Sequence, residues 1–171
     1  MDLLLHEVAK LGGVTLKLAG PLEIPAAIGR LVEEERIRKA VVWRTEDVAS
    51  LRLEEALAQI GVDVVDAELD KTELAECDLG VTVVDAALPE TGTLVLRARP
   101  GARQAVSLLP RVHLAIVQGA ALRADLQPVL DEIKADRRVH FITGPSRTAD
   151  IEKTLAIGVH GPQRLHVWAI L

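Results

Sequence analysis

Aromatic residues are scarce in this chain of 171 residues: they make up 2% of it, and tyrosine does not occur. The hydrophobic core must therefore consist of Leu, Val, Ile and Ala, and too few rings remain for recognition of nucleic acid by base stacking. Acidic residues outnumber Lys and Arg by 25 to 20, and the chain has no basic block. Since binding of a polyanion needs concentrated positive charge, we do not expect nucleic acid as a partner.

Cysteine and long apolar runs are equally rare. Cys77 is the single cysteine, so the chain lacks a partner for an internal disulfide and has too few thiolates to hold an iron–sulfur cluster. No apolar run approaches the roughly 20 residues that a membrane-spanning helix needs. Residues 1–7 start acidic and contain no small-residue cleavage site, unlike a secretory signal. These features predict a cytoplasmic protein without membrane attachment and without a cofactor of its own.

Short, continuously apolar runs alternate along the chain with helical patterns. Such runs are typical of strands that are covered on both faces, as in a parallel sheet. Residues 24–32 and 126–133 repeat apolar side chains at i, i+3 and i+4, as amphipathic helices do, and Asp125 is suited to cap the second helix. The alternation predicts one α/β domain over residues 21–171, a largely parallel sheet flanked by helices, after a short N-terminal element at residues 1–20. The predicted strands are residues 40–43, 62–65, 79–84, 93–96, 112–117, 139–143 and 165–171.

Three polar segments that contain glycine adjoin the predicted strands, at residues 89–93, 144–152 and 158–162. In an open parallel sheet, ligands bind at the carboxyl ends of strands, and glycine there lets a ligand approach the backbone. We therefore expect these loops to lie at one end of the sheet and to line one shared pocket with Gly92, Gly144, Ser146, Arg147, Thr148 and Asp150. The expected ligand-binding residues are Thr91, Gly92, Thr93, Gly144, Ser146, Arg147, Thr148, Asp150 and Gly161.

The second polar segment reads GPSRTADIE and follows an apolar run directly, which predicts a strand-to-helix turn. Ser146 or Thr148 would cap the helix, and Asp150 in its first turn would complement the helix dipole. Arg147 is not needed for this role, because a cation in the first turn is unfavourable unless it meets an anion. That anion is either the carboxylate of a ligand or Asp150 itself, and the sequence is compatible with both.

Glu90 and His160 are the candidate catalytic residues. Glu90 is the acid, base or nucleophile that the first segment offers, although a carboxylate there can equally cap a turn or pair with an arginine such as Arg147. His160 lies close to two glycines and can act either as a proton shuttle at neutral pH or as a turn residue that hydrogen-bonds a carbonyl. Three further histidines lie in strand-like runs without metal-binding spacing, and we expect them to be satisfied core or edge residues: His113, His140 and His166.

The charge run at residues 33–39 has three acidic residues at its start and basic residues at its end. It contains two favourable pairs at i and i+4, Glu34 with Arg38 and Glu35 with Lys39. Pairs of this kind stabilise a solvated helix face, so we interpret the run as surface and not as a binding site.

Four stretches resemble a known family. These are ETGT at residues 90–93, SLLPRVHLAIV at 107–117, GPSRTADIE at 144–152 and GVHGP at 158–162. In order and spacing they are similar to the LUD domain of lactate-utilization protein C. The similarity runs from about residue 79 to the C-terminus and weakens before that point. The resemblance implies a fold like that of the NagB/RpiA/CoA-transferase-like α/β proteins.

The resemblance also implies a metabolic role. Members of the family are implicated in converting L-lactate to pyruvate together with an iron–sulfur partner protein. It therefore implies a component of an organic-acid pathway, with iron–sulfur clusters in partner subunits only. In that role the three polar segments are expected to bind either a small carboxylate or a partner subunit, and a homo-oligomer is compatible with the sequence. The alternative is an enzyme of the acyl-transferase or sugar-phosphate isomerase type with Glu90 as the reacting carboxylate, since CoA-transferases of related fold use a glutamate near a glycine as an acyl acceptor.

Overall fold

The structure, a computed structural model, describes residues 1–149, 155–158 and 160–171. Within these ranges the chain forms strands that belong to three sheets, and α-helices between them. The strands are β1 (Val14–Leu18), β2 (Lys39–Val42), β3 (Asp63–Val65), β4 (Leu79–Val83), β5 (Ala86–Leu88), β6 (Thr93–Arg97), β7 (Val112–Gln118), β8 (Val139–Ile142), β9 (Arg147–Ala149), β10 (Leu155–Ile157) and β11 (Arg164–Ile170). The α-helices are α1 (Asp2–Lys10), α2 (Ile24–Glu35), α3 (Glu46–Ser50), α4 (Leu53–Gln59), α5 (Lys71–Ala75), α6 (Ala105–Leu108) and α7 (Leu126–Ile133).

Six strands form one parallel sheet in the order β1-β11-β7-β4-β2-β3. Its central strands β4 and β7 are buried almost throughout, as their continuously apolar sequences require. The predicted α/β class with a largely parallel sheet is confirmed, and β2, β3, β4, β7 and β11 correspond to predicted runs. The N-terminal residues 1–20 contain α1 and β1, and β1 pairs with β11 at one edge of this sheet.

The two predicted helices form, as α2 and α7. The carboxylate of Asp125 caps α7 by accepting a hydrogen bond from the backbone N–H of Gln127 at 2.9 Å. Helix α2 ends at Glu35, where Arg36 takes a left-handed conformation with a φ of 53°. The expected i, i+4 pairs along a continuing helix are therefore wrong. Instead, Oε1 of Glu35 lies 2.9 Å from Nε2 of His166 in β11.

Two predicted strands, residues 93–96 and 139–143, lie outside the parallel sheet. They correspond to β6 and β8, which pair antiparallel with each other, and β6 also pairs antiparallel with β5. Residues 89–92 alone connect β5 to β6. A connection this short allows a hairpin, whereas parallel neighbours need a crossover of about a dozen residues or more. The ETGT stretch is thus the tip of a hairpin.

Helix α6 packs directly against strand β4. A Cβ atom at Gly80 would lie 1.9 Å from the carbonyl oxygen of Val106, so only glycine allows this approach. Gly80 pairs in register with His113 of β7, and His113 pairs with Leu165 of β11. Residues paired directly across strands share a face, so α6 lies over the face to which His113 and Leu165 belong.

The segment that follows β8 does not start a helix in the described residues. The predicted strand-to-helix turn is wrong at Arg147–Ala149, which form β9 and pair antiparallel with β10. The backbone N–H of Ser146 donates to the carbonyl of Pro162, and the carbonyl of Ser146 accepts from the N–H of Gly158, both at 3.1 Å. In a helix capped by Ser146, the carbonyl of Ser146 would accept the first helical hydrogen bond. This carbonyl is instead bonded to Gly158.

Candidate functional site

One cavity of about 250 Å³ collects residues from four segments of the chain. These are the end of α6, the start of β7, strand β8 with the loop after it, and the loop that precedes β11. Its volume is below the roughly 300–1,000 Å³ that is typical of sites for drug-sized ligands, so it suits a small molecule. Its polar lining includes Ser107, His113, His140, Ser146, Arg147 and His160.

This cavity lies at the opposite end of the parallel sheet from the one expected. His113 and Leu165 are near the starts of β7 and β11, so the amino ends of these strands line it. The sequence placed the site at the carboxyl ends, where ligands of open α/β sheets usually bind. That expectation is wrong because residues 139–142 and 147–149 form the antiparallel strands β8 and β9 and not part of a strand–helix–strand unit of the parallel sheet.

The second and third polar segments meet at the cavity. A Cβ atom on Gly161 would lie 3.3 Å from the Cβ of Ser146, which shows how closely the two loops approach each other. The backbone bonds of Ser146 hold them together in this position. The candidate site residues that line the cavity are Gly144, Ser146, Arg147, His160 and Gly161.

The first polar segment lines a different hollow. Glu90, Thr91 and Thr93 line this second hollow. Phe141 and Thr143 line both the hollow and the cavity, so they separate the two. The side chain of Glu90 is exposed. The candidate reacting carboxylate and the candidate proton shuttle therefore lie in separate hollows, so they do not form one reaction centre in this conformation.

Gly92 lies outside the shared pocket in which we expected it. A Cβ atom there would lie 3.0 Å from the backbone nitrogen of Val8, so Gly92 serves the packing of the hairpin tip on α1. A chain of hydroxyls nevertheless links the hairpin tip to the cavity wall. Oγ1 of Thr91 lies 2.7 Å from Oγ1 of Thr93, which in turn lies 2.9 Å from Oγ1 of Thr143.

Arg147 contributes a cation at the rim of the cavity. Its guanidinium lies over Gly12, where a Cβ atom would be 2.1 Å from Nη2, and Gly12 has a φ of +87°. The arginine is exposed. Thr148 pairs through its backbone within the β9–β10 hairpin. Asp150, the alternative partner of Arg147, lies outside the described residues, so that ion pair stays a prediction.

His113 is buried at the inner wall of the cavity. Its side chain is 1% exposed, and Nε2 lies 2.8 Å from Oγ1 of Thr82 in β4. Burial, and secondarily the repulsion from His140 when that ring is protonated, lowers the pKa of His113 to about 3, so the ring is neutral near pH 7. Its Nδ1 atom is also buried, yet it has no hydrogen-bond partner among the described residues. The expectation of a satisfied core histidine is therefore wrong for one of its two ring nitrogens.

His140 and Ser107 form a second polar group in the cavity. The hydroxyl of Ser107 donates to the carbonyl of Gln104 at 2.9 Å, and its oxygen lies 3.4 Å from Nδ1 of His140. When the hydroxyl proton is donated to Gln104, the oxygen of Ser107 can only accept from His140, and the proton of this imidazole then lies on Nδ1. Burial lowers the pKa of His140 as well, so the cavity contains two neutral imidazoles.

Sequence reasoning did not identify His113, His140 or Ser107 as site residues. The sequence shows these histidines only as single polar residues within apolar runs. A core histidine with both ring nitrogens hydrogen-bonded has the same sequence pattern, so the pattern does not distinguish the two cases. His166 illustrates that second case, because its Nε2 pairs with the carboxylate of Glu35. Burial lowers the pKa of His166, and Glu35 opposes this effect.

The described residues contain no group of three or more His, Cys, Asp or Glu side chains that could hold a metal ion. Within the same part of the chain, no helix is long and apolar enough to cross a membrane. Cys77 is buried, and its burial raises the pKa of the thiol.

Relatives of known name extend over much of the chain. Lactate utilization protein C from Halalkalibacterium halodurans is 34% identical over 151 residues, which cover 81% of this chain and 65% of the relative. Lactate utilization protein C from Deinococcus radiodurans is 36% identical over 116 residues, which cover 63% of this chain and 54% of the relative. The chain thus spans between half and two thirds of the length of these two curated relatives.

A solved structure and a family model agree with this relationship. The crystal structure of a DUF162 family protein from Deinococcus radiodurans has a TM-score of 0.76 to this structure, at 23% identity over 99% of this chain and 95% of that one. Similarity at this level of identity shows a shared fold. The model of the LUD domain matches residues 17–170, which include every segment that lines the cavity. The chain therefore belongs to the LUD domain family.

Proposed function

We propose that this chain is a component of L-lactate utilization, the oxidation of lactate to pyruvate, and that it acts with iron–sulfur partner subunits. The names of its relatives support the pathway, since several are lactate utilization protein C. The composition supports the assignment of the iron–sulfur clusters to the partner subunits. An iron–sulfur cluster needs several thiolates, and Cys77 is alone, so the clusters belong to the partners.

Within this role, the cavity binds a small organic acid. The observation that carries the proposal is the meeting of the GPSR and HGP loops at one cavity of about 250 Å³, with Arg147 at its rim. A guanidinium presents two parallel donors that match the two oxygens of a carboxylate. The small volume favours an acid of few carbon atoms over a larger metabolite.

The alternative of an acyl-transferase or a sugar-phosphate isomerase with Glu90 as the reacting carboxylate has less support. Glu90 is exposed and lines a different hollow from Arg147 and His160. A reacting carboxylate must reach the substrate together with the groups that bind it. We therefore favour a binding or accessory subunit over an enzyme of that type.

Deletion of the gene tests the proposed pathway. The deletion strain is expected to lose growth on L-lactate and to keep growth on glucose, and the wild-type gene is expected to restore growth on lactate. Undiminished growth of the deletion strain on lactate would contradict the proposal.

Copurification tests the proposed partners. The tagged chain from lactate-grown cells is expected to bring down subunits with iron–sulfur absorbance, while the chain purified alone shows none. Stoichiometric iron–sulfur absorbance in the isolated chain, or the absence of such subunits from the purified complex, would refute the proposed division of labour.

A further inference from the structure

A groove of about 910 Å³ lies beside helix α6 and differs in charge from the rest of the surface. Five cationic side chains line it, and none of the described acidic residues does so. The chain as a whole is acidic, with 25 acidic residues against 20 Lys and Arg, so this local excess of positive charge is not the average of the surface. The cations that define this basic groove are Lys71, Arg99, Arg103, Arg137 and Arg138.

Hydrogen bonds tie together the chain segments that carry these cations. The backbone N–H of Ala98 donates to the carbonyl of Arg138 at 3.1 Å, which joins the segment before β8 to the end of β6. Nη1 of Arg103 donates to the carbonyls of Ala67 and Leu69 at 2.7 and 2.9 Å, which joins its loop to the segment before α5. The groove is therefore assembled before anything binds, and a ligand does not have to order these segments.

The protein neutralises only some of the charge in the basic groove. Arg99 forms an ion pair with Asp85, and the guanidinium of Arg103 lies 3.9 Å from the exposed carboxylate of Glu68. Because the remaining cations repel one another without compensation, the groove attracts an anion. These cations are exposed and form no ion pair with a described residue: Lys71, Arg137 and Arg138.

The lining of the basic groove favours a protein segment over a nucleotide. The described residues that line it include no aromatic side chain, so a nucleobase would find no ring on which to stack. Small or aliphatic side chains lie among the cations, including Ala102, Ala105 and Leu109. A chain segment that carries carboxylates between small apolar side chains matches both parts of this lining, since carboxylates pair with guanidinium groups and the apolar side chains pack on Ala and Leu.

We infer that the basic groove docks an acidic segment of a partner protein, whose carboxylates bind Lys71, Arg137 and Arg138. The proposed function names partner subunits but no surface for them, and the inference adds this surface and the charge of the segment that meets it. Where the partner is an iron–sulfur subunit, the inference rests on the proposed function. Complementary charge of this kind speeds association, and added salt weakens it.

Fluorescence anisotropy of the full chain with a labelled peptide in which Glu and Ala alternate tests the inference. We expect binding that weakens as salt is added. Arg137→Glu combined with Arg138→Glu is expected to weaken binding at least roughly 10-fold, because attraction becomes repulsion. The matched control is Arg30→Glu combined with Arg38→Glu, two exposed arginines outside the groove. Its affinity is expected to stay within about 3-fold of the wild type, since only the long-range field changes.

Lys71→Glu keeps the inference testable if the double variant of the groove does not fold. Lys71 is the first residue of α5, where an acidic side chain is favourable to the helix dipole. The variant is therefore expected to fold normally, which thermal unfolding checks, and to weaken peptide binding by about 3-fold or more. Unchanged binding by the folded Lys71→Glu protein would overturn the inference.

Three further results would overturn the docking of an acidic protein segment. The first is no binding of the peptide by the wild-type chain, and the second is an equal loss in the double variant of the groove and in its control. The third is displacement of the peptide by ATP or by a short DNA oligonucleotide that binds more tightly than the peptide, because the groove would then be a site for phosphate groups.

Copurification from lactate-grown cells separates the inference from the proposed function. The wild-type chain is expected to bring down the iron–sulfur subunits, and the variant with Arg137→Glu and Arg138→Glu is expected to lose them. A wild-type chain without these subunits would contradict the proposed function alone, since the peptide titration decides the role of the groove. Equal recovery of the subunits by both chains would contradict the inference alone.

Discussion

The guanidinium of Arg147 lies over Gly12, where a Cβ atom would be 2.1 Å from Nη2. Gly12→Ala is therefore expected to displace the guanidinium and to weaken binding of lactate. It also forces a side chain into a φ of +87°, which should lower the free energy of unfolding by about 1–3 kcal/mol. Lactate titration and urea denaturation measure the two effects.

Gly20→Ala is the matched control, because no atom lies within 4 Å of a Cβ atom there. Equal losses of lactate affinity in both variants would contradict the role of Gly12 in positioning Arg147.

Arg147→Ala is expected to abolish growth on lactate with little effect on folding. The side chain is exposed, and an exposed ion pair contributes only about 0–1 kcal/mol to stability. Arg147→Lys keeps the charge but loses the two parallel donors, so we expect it to restore growth only in part. Thermal unfolding and growth curves measure these effects. A badly destabilised Arg147→Ala protein that functions in the cold would mean that the arginine merely holds its loop.

Glu90→Gln distinguishes the two proposed classes of protein. Because Glu90 is exposed in a separate hollow, its replacement is expected to leave growth on lactate and binding of lactate unchanged. The variant removes the charge and keeps the shape of the side chain, so folding should not suffer. Loss of growth with intact folding would favour a reacting carboxylate at this position, and with it the acyl-transfer alternative.

Gly80→Ala tests the contact that positions α6 over the sheet. An added Cβ atom would lie 1.9 Å from the carbonyl oxygen of Val106, which must then move. We expect a loss of about 1–3 kcal/mol in the free energy of unfolding, measured by urea denaturation. Gly29→Ala is the control, for which we expect the free energy of unfolding to rise and not to fall. It lies within α2 with open space around its Cβ position, so it should stabilise by about 0.5–1 kcal/mol.

The stability of the protein is expected to fall as the pH is lowered below 6.5. The pKa of His113 is about 3 in the folded chain and 6.5 as its ordinary value, so between these values only the unfolded chain binds the proton. This one group then removes about 1.4 kcal/mol of stability per pH unit, while above pH 6.5 it contributes no pH dependence. His113→Gln should reduce the slope of stability against pH by about one proton, measured by urea denaturation between pH 4.5 and 7. An unchanged slope would show that His113 titrates normally in the folded chain.

The sequence predicted the parallel sheet well and its antiparallel neighbours poorly. Continuously apolar strands such as β4 and β7 are a local sign of burial on both faces. The strands β6 and β8 have similar sequences, but their partners are decided by a four-residue hairpin connection and by pairing across more than 40 residues. For the same reason the loop after Gly144 was mistaken for a helix start, because its backbone partners are Gly158 and Pro162.

By itself, the sequence determined the α/β class and the helices α2 and α7 with the cap at Asp125, because these depend on local periodicity. Tertiary structure alone decided which polar atoms are paired. Glu35 meets His166 across 131 positions of sequence, whereas the neighbouring histidine of the sheet, His113, keeps one nitrogen unpaired at a cavity wall. Sequence spacing does not encode such partners, since they depend on strand register and on the closeness of packing around each buried side chain.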